Sequence, residues 1–129
     1  MTKGEMPALG EVAQVALTIT DIDASTTFYR DTLGLSHMFT AANMAFFDCG
    51  NLRLLLGQAE DGKPVPGGSV LYFRVSDIEA AHNALVANEV KIERPPTATH
   101  RTEEQELWLA FFRDPDGNML ALFEERATG

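Results

Sequence analysis

The residues of this chain that offer chemistry are few and scattered. His100, Glu103, Glu104 and Glu106 spell His-x-x-Glu-Glu-x-Glu. Such a run supplies imidazole and carboxylate donors for a divalent cation, and it is equally what a charged, solvated loop looks like. His37 reads as a surface residue and His82 as a helix residue, apart from that run. Tyr72 and Glu106 are candidates for proton transfer without a metal, with nothing beyond their presence to argue for it. Cys49, the sole cysteine, reads as a small apolar filler at a strand end rather than as a nucleophile. Trp108, the sole tryptophan, is either a stacking wall for a flat ligand or a core or dimer-interface residue. No Gly-x-Ser-x-Gly elbow, phosphate loop or dinucleotide fingerprint occurs. Serine-hydrolase and nucleotide-dependent chemistries therefore find no support, and no catalytic residue is assigned.

These side chains must be positioned by a small scaffold. A chain of 129 residues, 45% hydrophobic and 22% charged, is expected to form one soluble domain spanning 1–129. Ten basic against 19 acidic residues leave a net charge of −9. That balance disfavours nucleic acid and anionic membranes, both of which need basic patches. No apolar run approaches the roughly 20 residues that span a bilayer. Residues 1–10 lack the basic-then-apolar pattern of a secretory leader, and a single cysteine suits a reducing compartment. A cytoplasmic location is the expectation.

The scaffold says nearly the same thing twice. Gln14 to Ile22 returns as Val70 to Ile78, 56 positions later. Ala45-Phe46-Phe47-Asp48-Cys49-Gly50-Asn51-Leu52 returns as Ala110 to Met119, with two extra residues in the turn. A fixed offset marks a duplicated supersecondary unit. Each copy reads as β-α-β-β-β. In the first, a strand over 12–20 leads to a helix capped at Asp21 or Asp23 and stopped by Gly34, then strands at 35–40, 44–48 and 52–57. In the second, a strand over 70–75 leads to a helix from Asp77 to Asn88, with Asn88 expected to take the left-handed exit. Short strands follow at 90–93, 106–113 and 119–124. Residues 94–105 read as a polar loop opened by Pro95-Pro96. The units span about 12–57 and 70–125, joined by a Pro/Gly-rich linker over 58–69, and the ends 1–11 and 126–129 read as frayed. The paired phenylalanines Phe46-Phe47 and Phe111-Phe112 read as core. The fold class is α+β, two tandem units forming a curved mixed sheet around a cleft.

Phe28-Tyr29-Arg30-Asp31-Thr32-Leu33-Gly34-Leu35, Phe112-Arg113-Asp114-Pro115-Asp116-Gly117-Asn118 and the repeat together resemble the vicinal oxygen chelate superfamily. That group includes glyoxalase I, extradiol dioxygenases, methylmalonyl-CoA epimerase and the fosfomycin- and bleomycin-resistance proteins. The resemblance covers about 12–125 and implies a cleft and often a homodimer. In the enzymes it also implies a divalent metal that chelates two adjacent substrate oxygens as a Lewis acid. Carried over one by one, the metal-ligand positions fall on Gln14, Leu54 (or Leu55 with a slip of one), Val70 and Ala121. Three of these carry no lone pair, so no metal and no other cofactor is expected.

By strand alternation, the same cleft would be lined by Gln14, Thr18, Leu54, Val70, Tyr72, Arg74, Ala121 and Phe123. His100, Glu106 and Trp108 complete the candidate ligand-binding residues. A mostly apolar surface with a few polar groups suits a small organic ligand; the other reading is that the cleft has closed into a core. Arg74 is placed to pair with a ligand carboxylate or phosphate, or with an internal acid. The expected function is a bleomycin-resistance-like protein binding an apolar or aromatic small molecule in a metal-free cleft, as a homodimer. The alternative is a divalent-metal lyase, isomerase or dioxygenase with an altered metal site.

Overall fold

Each unit turns on an aspartate. In a computed structural model that describes residues 14–63 and 70–128, Asp21 accepts hydrogen bonds from the backbone N–H groups of Asp23 and Ala24. Asp77 accepts one from Ala80. Both satisfy N–H groups that a helix start leaves without a partner. The expectations for 1–13, for 64–69 of the linker and for Gly129 lie outside the described residues.

The elements run β1 (Gln14–Ile19), α1 (Ile22–Thr27) continued by a π-helical turn (Phe28–Thr32), β2 (Ser36–Ala41), β3 (Met44–Asp48) and β4 (Arg53–Gln58). The second unit follows as β5 (Leu71–Arg74), α2 (Ile78–Ala87), β6 (Lys91–Arg101), β7 (Gln105–Arg113) and β8 (Met119–Ala127). Each unit builds one four-stranded mixed sheet, in the orders β1-β4-β3-β2 and β5-β8-β7-β6. The first pair in each is parallel and the rest antiparallel. None of the helices is long and apolar enough to cross a membrane, among the described residues.

One face of each sheet is apolar and lies under its helix. Leu17, Ile19, Phe47, Leu54 and Leu56 of the first sheet join Phe112, Leu120 and Leu122 of the second in a single core with Tyr29, Ile78 and Leu85. Burying such side chains contributes about 1.5–3 kcal/mol each. Because both helix-covered faces share this core, the two opposite faces turn away from it.

The units are joined by polar groups at the Asp-Pro-Asp-Gly-Asn turn between β7 and β8. Asp114, 4% exposed, accepts from the Tyr29 hydroxyl at 2.8 Å. It also accepts from the Asn118 amide at 2.8 Å and from the backbone N–H groups of Asp116 and Asn118. Asp116 accepts from the Thr20 backbone N–H, the Thr20 hydroxyl and the Ser25 hydroxyl. Asn118 donates to the Thr18 carbonyl at 3.0 Å. The turn of the second unit is thus bonded to the strand and helix of the first.

The structure corrects four sequence expectations. Residues 94–101 are strand, not loop. Three register shifts along β6 break the alternation that would reveal a strand, and bulged positions tolerate Pro95 and Pro96. The last strand continues to Ala127, because Arg126 is tied to Glu79 and Glu124. Glu89, not Asn88, takes the left-handed exit from α2, with φ +59°. Of the phenylalanine pairs, Phe47 and Phe112 are core but Phe46 and Phe111 lie on the opposite faces, as adjacent strand residues must.

Tyr29 generates a test of the joint. Burial first, and the Asp114 charge second, hold its phenol pKa above the ordinary value. The unfolded chain ionises this phenol near pH 10, whereas the folded chain keeps it protonated. Its contribution is therefore complete below about pH 10 and is lost as the pH rises beyond that. Tyr29→Phe should cost about 1–3 kcal/mol in urea unfolding at pH 7, because Asp114 loses a donor. It should also flatten the alkaline fall in stability that the unmutated protein shows.

Candidate functional site

The open face of the first sheet is set by Arg53. A guanidinium does not sit in an apolar core without partners, so Arg53, Leu55 and Gly57 face out while Leu54 and Leu56 face in. Cross-strand register puts Arg53 beside Gln14 and Leu55 beside Ala16. Arg53 donates through Nε to the Gln14 Oε1 at 2.8 Å. Its guanidinium carbon lies 4.9 Å from the centre of the Phe46 ring, and Phe46 stacks on Phe39 at 4.5 Å. Phe39 and Met44 are exposed, and a recess of about 410 Å³ opens beside Gln14, Met38, Asp48 and Arg53.

The second sheet repeats the arrangement. The Arg74 guanidinium lies 5.1 Å from the Phe123 ring centre and pairs with Glu125 at 3.1 Å. Tyr72 and Phe111 meet edge to face at 6.2 Å. Both stand in register with Ala121, whose methyl group has no exposure. His100 is opposite Leu107, Thr97 opposite Leu109 and Arg94 opposite Phe111 on this same face. A recess of about 350 Å³ lies between the sheet edges, lined by Val15, Leu54, Val70, Tyr72 and Arg74 among others.

Of the residues singled out from the sequence, Gln14 and Thr18 share the open face of the first sheet, although Thr18 is half-buried under the Asp-Pro-Asp-Gly-Asn turn. Tyr72, Arg74, His100, Ala121 and Phe123 share the open face of the second. Val70 is half-buried just before β5. Leu54, 1% exposed, is in the core, which corrects its placement in the cleft; the outward residue is Leu55. Glu106 and Trp108 also lie on the helix-covered side. Trp108 is in register with Glu124, which accepts the Ile78 backbone N–H at 2.7 Å. Arg126 lies 4.2 Å over its ring, so Trp108 walls the α2 junction rather than a ligand cleft. Glu106 pairs with Arg101 at 3.4 Å and faces away from His100, so the His-x-x-Glu-Glu-x-Glu run does not converge.

Arg53, Phe39, Phe46, Arg94 and Phe111 were missed. Arg53 carried the signal. Three consecutive leucines have no period of two, but the charged residue before them fixes which of them face out.

The residue range 11–122 matches the family model of the Glyoxalase/Bleomycin resistance protein/Dioxygenase superfamily. The chain belongs to that superfamily. Two curated proteins are similar to it. YraH of Bacillus subtilis (strain 168) is 30% identical, covering 88% of this chain and 98% of that one. Virulence protein STM3117 of Salmonella typhimurium is 27% identical, covering 88% and 83%. The crystal structure of lactoylglutathione lyase from Agrobacterium tumefaciens superposes with a TM-score of 0.70 at 25% identity, covering 92% of this chain and 96% of the other. A glyoxalase-related enzyme from Fulvimarina pelagi reaches 0.74 at 24% identity, covering 90% and 88%.

At the positions where the resemblance places metal ligands, these residues offer a single donor. Leu55 and Val70 are apolar, and Ala121 is sealed under Tyr72 and Phe111. Gln14, the one donor, already accepts from a guanidinium whose charge repels a cation. Asp77, Glu79 and Glu124 do come within 4.8 Å of one another elsewhere. Arg126 is bonded to Glu79 and Glu124 there, which lowers the Glu79 carboxyl pKa and raises that of Arg126. That cluster is an ion-pair staple between β8 and α2.

Cys49, just after β3, is half-buried and lines the recess with Val15, Leu54 and Val70. Burial first, and Asp48 second, push its thiol pKa up. Only the thiolate is nucleophilic. Iodoacetamide should therefore modify Cys49 several-fold more slowly than a free cysteine at pH 7.5, and the rate should climb with pH; a rate at or above the free thiol's would contradict this.

Proposed function

We propose that this chain is a metal-free small-molecule-binding member of the superfamily, acting as a homodimer whose ligand cleft forms where open sheet faces of two copies meet. The observation that carries the reading is the bond between Arg53 and Gln14. It replaces the first metal position by a cation, and the remaining positions hold no donor.

Exposure supports the dimer. Within one chain the open faces turn away from the shared core, leaving Phe39, Met44 and Tyr72 exposed, Tyr72 by 53%. Exposed large apolar side chains on a sheet face are what an interaction site offers. A second copy of the sheet face supplies the opposite wall that a binding cleft needs. The core-side recess of about 310 Å³ among Leu33, Leu35, Phe73, Leu85 and Phe112 is a poorer site. Its lining is apolar apart from Thr32 and Arg74, and the Arg74 guanidinium turns to the open face. The proposed location is cytoplasmic.

A second reading, a divalent-metal lyase, draws on the likeness to the Agrobacterium tumefaciens lactoylglutathione lyase. Elemental analysis after dialysis against Ni, Zn, Mn and Fe separates the two. The proposal expects less than about 0.1 metal ion per chain, since one amide ligand leaves a dication most of its hydration cost unpaid. Stoichiometric, tightly held metal would reject it. Arg53→Ala should not create metal binding, because the other three positions still lack donors.

A further inference from the structure

We infer that the open-face cleft selects an oxyanion, a carboxylate, sulfonate or phosphate group carried on a flat apolar body. This deepens the proposed function and rests on its placement of the ligand. The first support is how the charge is divided. The chain carries −9 overall. Yet strand register places Arg53, Arg74, Lys91, Arg94 and Arg113 on the open faces, half of its ten basic residues. The acids beside them are three: Asp48, Glu93 and Glu125. The excess lies on the second sheet, where Arg74, Lys91, Arg94 and Arg113 stand beside Glu93 and Glu125, and a local excess of positive charge concentrates anions where the rest of the molecule repels them.

Arg53 and Arg94 supply the second support. Neither has a carboxylate within ion-pair distance among the described residues, whereas Arg30, Arg74, Arg101, Arg113 and Arg126 all do. Arg53 is held in place by Gln14 through Nε and by the Phe46 ring beneath it. Its two Nη groups are left without an acceptor among the described residues. A guanidinium pre-oriented in this way presents the planar fork that recognises carboxylate and phosphate. The neighbouring Phe39–Phe46 and Tyr72–Phe111 pairs offer ring faces and edges to a flat body.

The third support is the pairing itself. Two copies that bring together the positively charged open faces of their second sheets repel one another unless an anion lies between them. A bound oxyanion with an apolar body answers the charge and the exposed rings at once.

The test compares two probes with one skeleton, anilinonaphthalene sulfonate and the uncharged N-phenyl-1-naphthylamine, by fluorescence titration of the full chain. The inference expects the sulfonate to bind about tenfold or more tighter, and the advantage to shrink as NaCl is raised. Arg53→Met, Arg94→Met and, should either fold poorly, Arg53→Gln should each remove most of that advantage while leaving the neutral probe within about twofold. Arg30→Met, at an exposed arginine paired with Asp31, should change neither. Equal binding of both probes, or an advantage untouched by the arginine variants, overturns the oxyanion inference and leaves the ligand site standing. Binding of neither probe overturns the ligand site as well.

Discussion

The buried Asp114 carboxylate is the point on which the arrangement of the two units depends. A charge this buried is tolerated only where several donors meet it, and here they come from both units: the Tyr29 hydroxyl from one, the Asn118 amide and two backbone N–H groups from the other. Asp116 extends the joint to Thr20 and Ser25. This turn is one of the segments by which the superfamily resemblance is recognised. In this chain its work is mechanical, because it fixes the helix-covered faces against a common core and so commits the opposite faces to the outside.

Everything proposed about the site follows from that commitment. An inward-facing cleft would be sealed by its own chain, whereas outward faces leave aromatic rings and arginines for something else to cover. The two units differ at corresponding places. The first offers a guanidinium locked on an amide, the second a tyrosine and a phenylalanine closing over Ala121. On the proposed reading, both present a surface suited to π-faces and negative charge in place of a metal-binding one, as a fold that hosts many chemistries allows.

Much of this was legible in the residues. The repeat, the two Asp caps, both helices, seven of the eight described strands and the first residues of β6 follow from periodicity and turn chemistry, and the superfamily follows from the two motifs. The β6 strand was hidden by its bulges, and the left-handed Glu89 runs against residue preference. The site was half legible. Gln14, Tyr72, Arg74, Ala121 and Phe123 lie on the open faces, because one reliable anchor per strand settles its parity; His100, read as part of a loop, reaches the same face through β6. Leu54 was misplaced because an unbroken leucine run carries no parity of its own. Trp108 and Glu106 were misplaced because their strand lengthens into a hairpin whose other arm read as loop. The direction in which the sheets face was not legible at all, since it is decided by long-range bonds between Asp114, Asp116 and the first unit.

The measurement that bears most directly on a cleft shared between copies is the mass of the native chain by sedimentation equilibrium at low micromolar concentration. The account predicts twice the chain mass of 14.1 kDa. It predicts a return toward the single-chain mass for Phe39→Asp combined with Tyr72→Asp, which charge exposed residues of the two open faces and leave the core untouched. A single chain of 14.1 kDa that stays monomeric into the hundreds of micromolar would contradict it.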